Sequence, residues 1–213
     1  MTMVLRMIRR SFAALVLALV AFFAAAPGLA KEDKLQTYLD KAEAIAAERG
    51  MVLGNRKGTL TIYKFFDYNC GYCRGSVAFM DRMIRQNPQL KLVVIDNPTL
   101  SDASVEAALA MARIPASKRH KAHYAAVKPG RRDGAWVERY AKDNGLSLGA
   151  WNKKDDPTTR KIIGQLQYNR SLAKAIGFQG VPGFVIGRKF FNGFDETILA
   201  KAICEETGGK NCG

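Results

Sequence analysis

The chain has 213 residues, 48% of them hydrophobic and 24% charged, and a formal charge of +14 at pH 7. This composition excludes a disordered or collagen-like chain, and the length suits one domain with a real core and little more. The basic excess raises three readings: nucleic-acid binding, an anionic membrane surface, or a solvated protein face.

Residues 1–30 read as a secretory signal. Arg6, Arg9 and Arg10 supply the positive start, and Phe12 to Ala26 is an unbroken apolar run of fifteen residues. Gly28-Leu-Ala30 offers small residues for cleavage before the charged Lys31-Glu-Asp-Lys34. The run is short for a bilayer, which favours cleavage near Ala30 over a membrane anchor. Arg9-Arg-Ser-Phe12 faintly resembles a twin-arginine signal, but the strongly apolar run favours the general secretory route. Removing the segment takes away three arginines and leaves 183 residues at +11. All four cysteines stay in the mature region, where export allows paired cysteines to remain oxidised.

Residues 33–49 carry Leu35, Leu39, Ala42 and Ile45 at helical spacing, with Gly50 as a stop. This helix either packs on the domain or drives self-association. Asn55-Arg-Lys-Gly58 is a turn into an apolar strand, Thr59–Phe66. Cys70-Gly-Tyr-Cys73 follows, with Val77, Met80 and Ile84 behind it on one face of a helix that ends near Asn87-Pro88. Cys70 then stands at the first turn, where backbone N–H groups and the helix dipole stabilise a thiolate. That is what thiol–disulfide exchange requires. Cys70 is expected to be the exposed attacking thiol, and Cys73, one turn in, the buried resolving thiol. A zinc reading needs a second ligand pair, and Cys204 and Cys212 have seven residues between them, unlike the usual zinc spacings. No metal and no cofactor are expected.

Lys91-Leu-Val-Val-Ile-Asp96 reads as a second strand. The next 87 or so residues read as helices. Val105, Ala108, Leu109 and Ala112 follow helical spacing after Ser101. Lys118–Val127 and Gly134–Lys142 are shorter helices, and Asp156-Pro157 caps a longer one carrying Ile162, Leu166, Leu172 and Ile176. Between Ser101 and Phe178 there are fifteen Lys/Arg against seven Asp/Glu, clustered at Lys118-Arg119, Arg131-Arg132, Lys153-Lys154 and Arg160-Lys161. Without interleaved aromatics this reads as a solvated helical surface, not a nucleic-acid face. His120 and His123 read as surface or packing residues, and Trp136, Trp151 and Phe190-Phe191 as core or interface.

Gly180-Val-Pro-Gly-Phe-Val-Ile-Gly187 is a turn, a strand and a second turn; a hairpin and a last helix, Asp195 to about Glu206, follow. Cys204 and Cys212 read as a structural disulfide across Gly208-Gly209, contributing roughly 2–3 kcal/mol in the chain-entropy model. A second redox pair or a free thiol is the alternative.

Phe65-Phe-Asp-Tyr-Asn-Cys-Gly-Tyr-Cys73 together with Gly180–Gly187 resembles the DsbA-like family of periplasmic thiol–disulfide oxidoreductases, over about Thr59 to Glu206. The resemblance implies an α/β thioredoxin fold with an all-helical insertion between the CxxC half and the cis-proline half. Its layout would be a signal at 1–30, a lead-in at 31–58, the thioredoxin-like domain at 59–206 with the insertion at about 101–178, and a tail at 207–213. The insertion would cover one side of the site and form part of a peptide groove. Pro182 would be cis and opposite Cys70, and Val181 would offer backbone groups to a bound peptide. Gly71 and Tyr72 would tune the Cys70 thiolate. That Gly-Tyr pair resembles the periplasmic isomerases, whereas Val181 before the proline resembles the oxidases.

Lys64 departs from the pattern. Family members commonly place an acid there, six residues before the first cysteine, to take a proton from the buried thiol. A charged lysine cannot do so and instead favours a Cys73 thiolate. The alternative is a stem lying along the sheet edge with its head in water. Asp67 is a candidate proton relay, or a turn cap.

The function implied is an exported oxidase that donates a Cys70–Cys73 disulfide to reduced exported proteins and is recycled by a membrane redox partner. The alternatives are an isomerase or reductase acting from the dithiol, and a non-catalytic chaperone or metal-binding module. The first of these fits an oligomer built through the N-terminal helix. Intact Cys70 and Cys73 count against the second.

Overall fold

The computed structural model describes residues 27–209, with side chains from Lys34 onward. Residues 1–26 of the expected 1–30 signal, and the tail cysteine Cys212, lie outside the described residues. Among the described residues no helix is long and apolar enough to cross a membrane. The chain divides into one body ending at Tyr38 and another from Leu39 onward. Helix α1, Pro27–Glu48, begins in the first and ends in the second. It starts six residues earlier than the hydrophobic spacing suggests, with Pro27 as a tolerated first residue. Within the second body Leu39, Ala42 and Ala46 are buried, so this stretch of α1 packs onto the domain.

The second body is built on a five-stranded mixed sheet. Its strands are β1 (Val52–Gly54), β2 (Leu60–Phe66), β3 (Leu90–Asp96), β4 (Gly183–Ile186) and β5 (Lys189–Asn192), in the order β1-β3-β2-β4-β5. β2 and β3 run parallel, with Ile62 opposite Leu92 and Phe66 opposite Asp96. β2 runs antiparallel to β4, with Lys64 opposite Phe184. β2 is therefore the central strand, and helices cover both its faces. That is why it reads as a nearly continuous apolar run. Of its residues only Thr61 is not buried.

Helix α2, Gly71–Gln86, crosses from β2 to β3 and buries Cys73, Ser76, Val77, Phe79 and Met80. Four helices then intervene before β4: α3 (Asp102–Arg113), α4 (Ala116–Ala126), α5 (Gly134–Asp143) and α6 (Pro157–Ile176). This is a thioredoxin fold with an all-helical insertion. Short polar side chains start most of the helices by capping a free N–H. Ser101 accepts from Ser104, Asp133 from Trp136, and Asp156 from Thr159. α6 ends at Gly177 in the left-handed region, at φ 95°. Helix α7, Glu196–Glu206, follows the β4–β5 hairpin, capped by Asp195.

The insertion has its own small core, Ala108, Ala112, Ile162 and Leu166, between α3 and α6. α5 approaches the following loop closely: a Cβ on Gly134 would stand 2.0 Å from the Trp151 ring. The basic face is not uniformly solvated, contrary to expectation. Arg119 is wholly buried and ion-paired to Asp96 at the end of β3, at 2.5 Å. Arg132 is buried too, its guanidinium spent on the carbonyls of Ala126, Lys128 and Arg131. Burial of these two cations is possible because each found acceptors inside the fold.

Candidate active site

The site forms where β2 stops and α2 begins. Asp67 ends the strand, and its carboxylate accepts three backbone N–H groups, from Asn69, Thr99 and Leu100. Those bonds tie the segment before Cys70 to the segment after β3. The carboxylate is committed as a cap. Asn69 pairs reciprocally with the insertion: its amide donates to the Arg132 carbonyl and accepts from the Arg132 N–H, both at 2.7 Å. Arg74 of α2 reaches the Gly130 carbonyl at 2.7 Å. The redox turn is thus held by the insertion on one side.

Cys70 is the N-cap residue of α2. Its sulfur takes the place that an oxygen usually holds and accepts the Cys73 N–H at 3.1 Å. The Cys70 thiol is held down to about 7, chiefly by the Cys73 thiol donating to it and then by backbone N–H groups of Cys73 and Tyr72. Burial and the Asp67 charge oppose this. The Cys73 thiol is pushed far up, first by burial and then by its bond to Cys70. Both thiols are free.

Exposure does not separate the two thiols as expected. Cys70 is 5% exposed and Cys73 0%. The cover over Cys70 comes from across the sheet: its S–H donates to the Val181 carbonyl at 3.3 Å, and the Val181–Pro182 bond is cis. Electrostatics, not access, distinguishes the sulfurs here. Gly71 and Tyr72 between them face solvent, with Tyr72 72% exposed.

Lys64 is 1% exposed. The expectation of a stem along a sheet edge fails because β2 has neighbours on both sides. Its Nζ donates to the Cys73 carbonyl at 3.3 Å and lies 5.0 Å from the centre of the Phe66 ring. Burial pulls the ammonium down to about 7, while negative charge on Cys73 and then Cys70 pulls it back up. Ser76 Oγ donates to the same Cys73 carbonyl at 2.8 Å.

Phe66, Tyr68 and His123 complete the floor. His123 of α4 is buried and shares a 3.3 Å hydrogen bond with the Tyr68 hydroxyl. Both rings pack on Phe66. Burial holds His123 well below its ordinary value, followed by the charge on Lys64. Tyr68 is pushed up by burial. Of the two readings for His123, surface or packing, the structure takes packing; its hydrogen-bond partner lies 55 residues away in the chain.

Beside Tyr72 lies an apolar cavity of about 480 Å³, lined by Phe190, Phe191, Phe194, Ile198 and Leu199. It is built from β5 and α7, not from the insertion. Phe190 is 46% exposed, so this residue of the expected core or interface pair is not core. Trp151 is buried, as expected of a core residue. At the other end of α7, Cys204 is disulfide-bonded. Its expected partner, Cys212, lies outside the described residues. Among the described residues no group of three His, Cys, Asp or Glu side chains is placed to hold a metal.

A family described as thioredoxin matches residues 46–203. No curated protein sequence matches the chain. Among solved structures, a thioredoxin-like oxidoreductase from Silicibacter pomeroyi DSS-3 is 29% identical, with a TM-score of 0.65 over 75% of this chain and 92% of that one. The thiol-disulfide exchange protein alpha-DsbA2 from Wolbachia pipientis is 22% identical, with a TM-score of 0.65 over 83% and 97%. The catalytic domain of Proteus mirabilis ScsC is 21% identical, with a TM-score of 0.67 over 82% and 98%. The last two likenesses establish the fold alone.

Proposed function

The chain belongs to the thioredoxin family, and from that premise we propose that it is an exported thiol–disulfide oxidoreductase, an oxidase that donates a Cys70–Cys73 disulfide to reduced proteins in the periplasm. One observation carries the activity. Cys70 Sγ caps α2, and hydrogen bonds from the Cys73 thiol first and then from the Cys73 N–H hold its thiol at about 7, which makes it both nucleophile and leaving group. The description of the Silicibacter pomeroyi protein as an oxidoreductase agrees.

The oxidising direction rests on Lys64. In its ammonium form the buried Lys64, bound to the Cys73 carbonyl, favours a Cys73 thiolate, and so the dithiol over the disulfide. A disulfide with a stabilised dithiol is the stronger oxidant. Export is supported by the signal-like residues 1–30 and by the bonded state of Cys204. Val181 and Pro182 border Cys70, where the backbone of an extended peptide would lie. The apolar cavity beside Tyr72 suits a hydrophobic side chain of a reduced protein. Each donation leaves the dithiol behind, so turnover requires a membrane partner that re-oxidises Cys70 and Cys73. Nucleic acid has no place in this reading.

A second reading, a reductase or isomerase working from the dithiol, is favoured by one observation. About 7 is the range of reducing thioredoxins, well above the strongest oxidants. The deciding measurement is equilibration of the purified protein with glutathione, alongside acid-trapping and alkylation of periplasmic extract. A disulfide in the extract and a potential less negative than about −200 mV are expected of the oxidase. A dithiol in the extract with a potential near −270 mV, about that of thioredoxin, reverses the direction. A pair that never exchanges removes the enzyme reading.

A further inference from the structure

We propose that Lys64 is the acid–base group of the buried thiol: as a free amine it takes the proton of Cys73 when Cys73 attacks a mixed disulfide on Cys70, and as ammonium it protonates Cys73 when Cys73 leaves. This deepens the thiol–disulfide exchange reading and rests on it, but not on the direction of exchange.

The placement is built by the fold. Lys64 sits mid-strand on the central β2, with β3 and β4 on either side, and has no route to the sheet edge. Its Nζ is bound to the carbonyl of the very residue whose thiol must ionise. No carboxylate among the described residues pairs with it. An unpaired ammonium in that interior is costly, so with both thiols protonated the amine is the stable form. A thiolate beside it reverses the preference. Lys64 and the sulfurs therefore form one proton-sharing set, S–H with NH₂ or S⁻ with NH₃⁺. The fall of the ammonium to about 7, and its recovery with charge on Cys73 or Cys70, follow from the same geometry.

The other titratable groups around it are already engaged. Asp67, at the end of β2, has its carboxylate bound by three backbone N–H groups. His123 of α4 is bonded to the Tyr68 hydroxyl and is held well below its usual value. Tyr68 keeps its proton over the working range. On α2, Cys70 carries the mixed disulfide and has no proton to give. Among the described residues Lys64 alone is left to serve Cys73.

The exchange balances. Start from a bond between Cys70 Sγ and a substrate sulfur. The Cys73 proton passes to Lys64 Nζ, and the thiolate pair forms the Cys70–Cys73 bond. The Cys70–substrate bond breaks, and its electron pair leaves on the substrate sulfur, which takes a proton from water. The two cysteines are oxidised by two electrons and the substrate disulfide is reduced by two. The Lys64 ammonium, now without an anion, returns its proton to solvent. In the other direction a substrate thiolate attacks Cys70, Cys73 departs as thiolate, and the ammonium protonates it.

The test is single-turnover reaction of reduced full-length mature protein with glutathione disulfide, from pH 5 to 10. Acid quench and mass spectrometry separate the Cys70–glutathione adduct from the closed Cys70–Cys73 disulfide. For wild type, the closing rate is expected to rise to a plateau with a midpoint near 7. Lys64→Met, a close fit for a buried stem, should lose that midpoint and close about 100-fold more slowly at pH 7.5, climbing with hydroxide instead. Its adduct should still form within a few-fold of the wild-type rate. Lys64→Arg keeps a cation but offers no base, and should close as slowly as Lys64→Met. A Lys64→Met protein that closes within threefold of wild type, with the midpoint intact, overturns the proposal. Full rescue by Lys64→Arg overturns it in favour of fixed charge. A wild-type protein that forms no adduct at any pH overturns the exchange reading itself, and this proposal with it.

Discussion

Two of the buried cations, Arg119 and Lys64, have opposite fates. Arg119, on the insertion, meets the Asp96 carboxylate at 2.5 Å and is raised above its ordinary value by that partner, against the effect of burial. Lys64, on the central strand, meets a carbonyl and a ring and no carboxylate among the described residues, and burial pulls it down to about 7. Arginine suits the first place because its guanidinium stays charged in any protein interior. Lysine suits the second because it can surrender its proton. Arg119 fastens the insertion to the sheet, while Lys64 has no fastening to do. The contrast teaches that burial alone assigns no role. What matters is whether a counter-charge came with the group.

The hardest break of this contrast is Arg119→Met. It leaves Asp96, half-buried at the end of β3, with no cation, and the expected loss is up to about 3–5 kcal/mol in urea unfolding. A loss under about 1 kcal/mol would mean that the pair does no structural work. Lys64→Met should act in the other sense and raise stability, by about 1–4 kcal/mol at pH 7. The sign follows from the depressed folded value. Between about pH 7 and the unfolded lysine value of 10.5, the unfolded chain holds a proton that the folded chain lacks. Stability contributed through Lys64 therefore rises with pH across that window and falls as pH drops toward 7. Lys64→Met removes this slope, so its advantage should shrink to nothing by about pH 10.5. The disulfide form is the one to measure, because its two cysteines no longer titrate. An advantage that does not vary with pH would show that Lys64 is charged in the fold throughout.

The smallest effect concerns Asp67. Its charge pushes the Cys70 thiol up. Asp67→Asn should therefore raise the Cys70 thiolate fraction at pH 6, by about two- to threefold, read from iodoacetamide labelling rates. It should also cost about 1–3 kcal/mol, because an amide cannot accept all three backbone N–H groups. Slower labelling of Cys70 would instead make Asp67 a proton relay.

The local parts of the site could be read from the amino-acid order. Cys70 and Cys73 stand one turn apart at a strand-to-helix junction, and Ser101, Asp156 and Asp195 announce their helices through short-range capping chemistry. Asp67 as a turn cap was one of two open readings for the same reason. What escaped depends on partners far along the chain. Arg119 sits in a run of basic residues and looks solvated, because nothing nearby in sequence points to Asp96. The depth of Lys64 depends on strand order, which alternation along β2 does not encode. That Val181 and Pro182 would face Cys70 was expected from the family resemblance, but not that the Val181 carbonyl, more than a hundred residues away, would bury the thiol. β1 has three residues, too few to show any period. The cavity beside Tyr72 needed a hairpin and a helix brought together around it.

The reciprocal bonding of Asn69 with Arg132 bears on how the parts of this protein can be exchanged. The residue just before the nucleophile is satisfied by main chain that only the insertion supplies. Moving the Asp67–Cys73 segment onto a thioredoxin scaffold without such an insertion would leave the Asn69 amide with no protein partner and its loop free to turn. In a chimera, the redox loop and the segment around Arg132 form one transferable cassette.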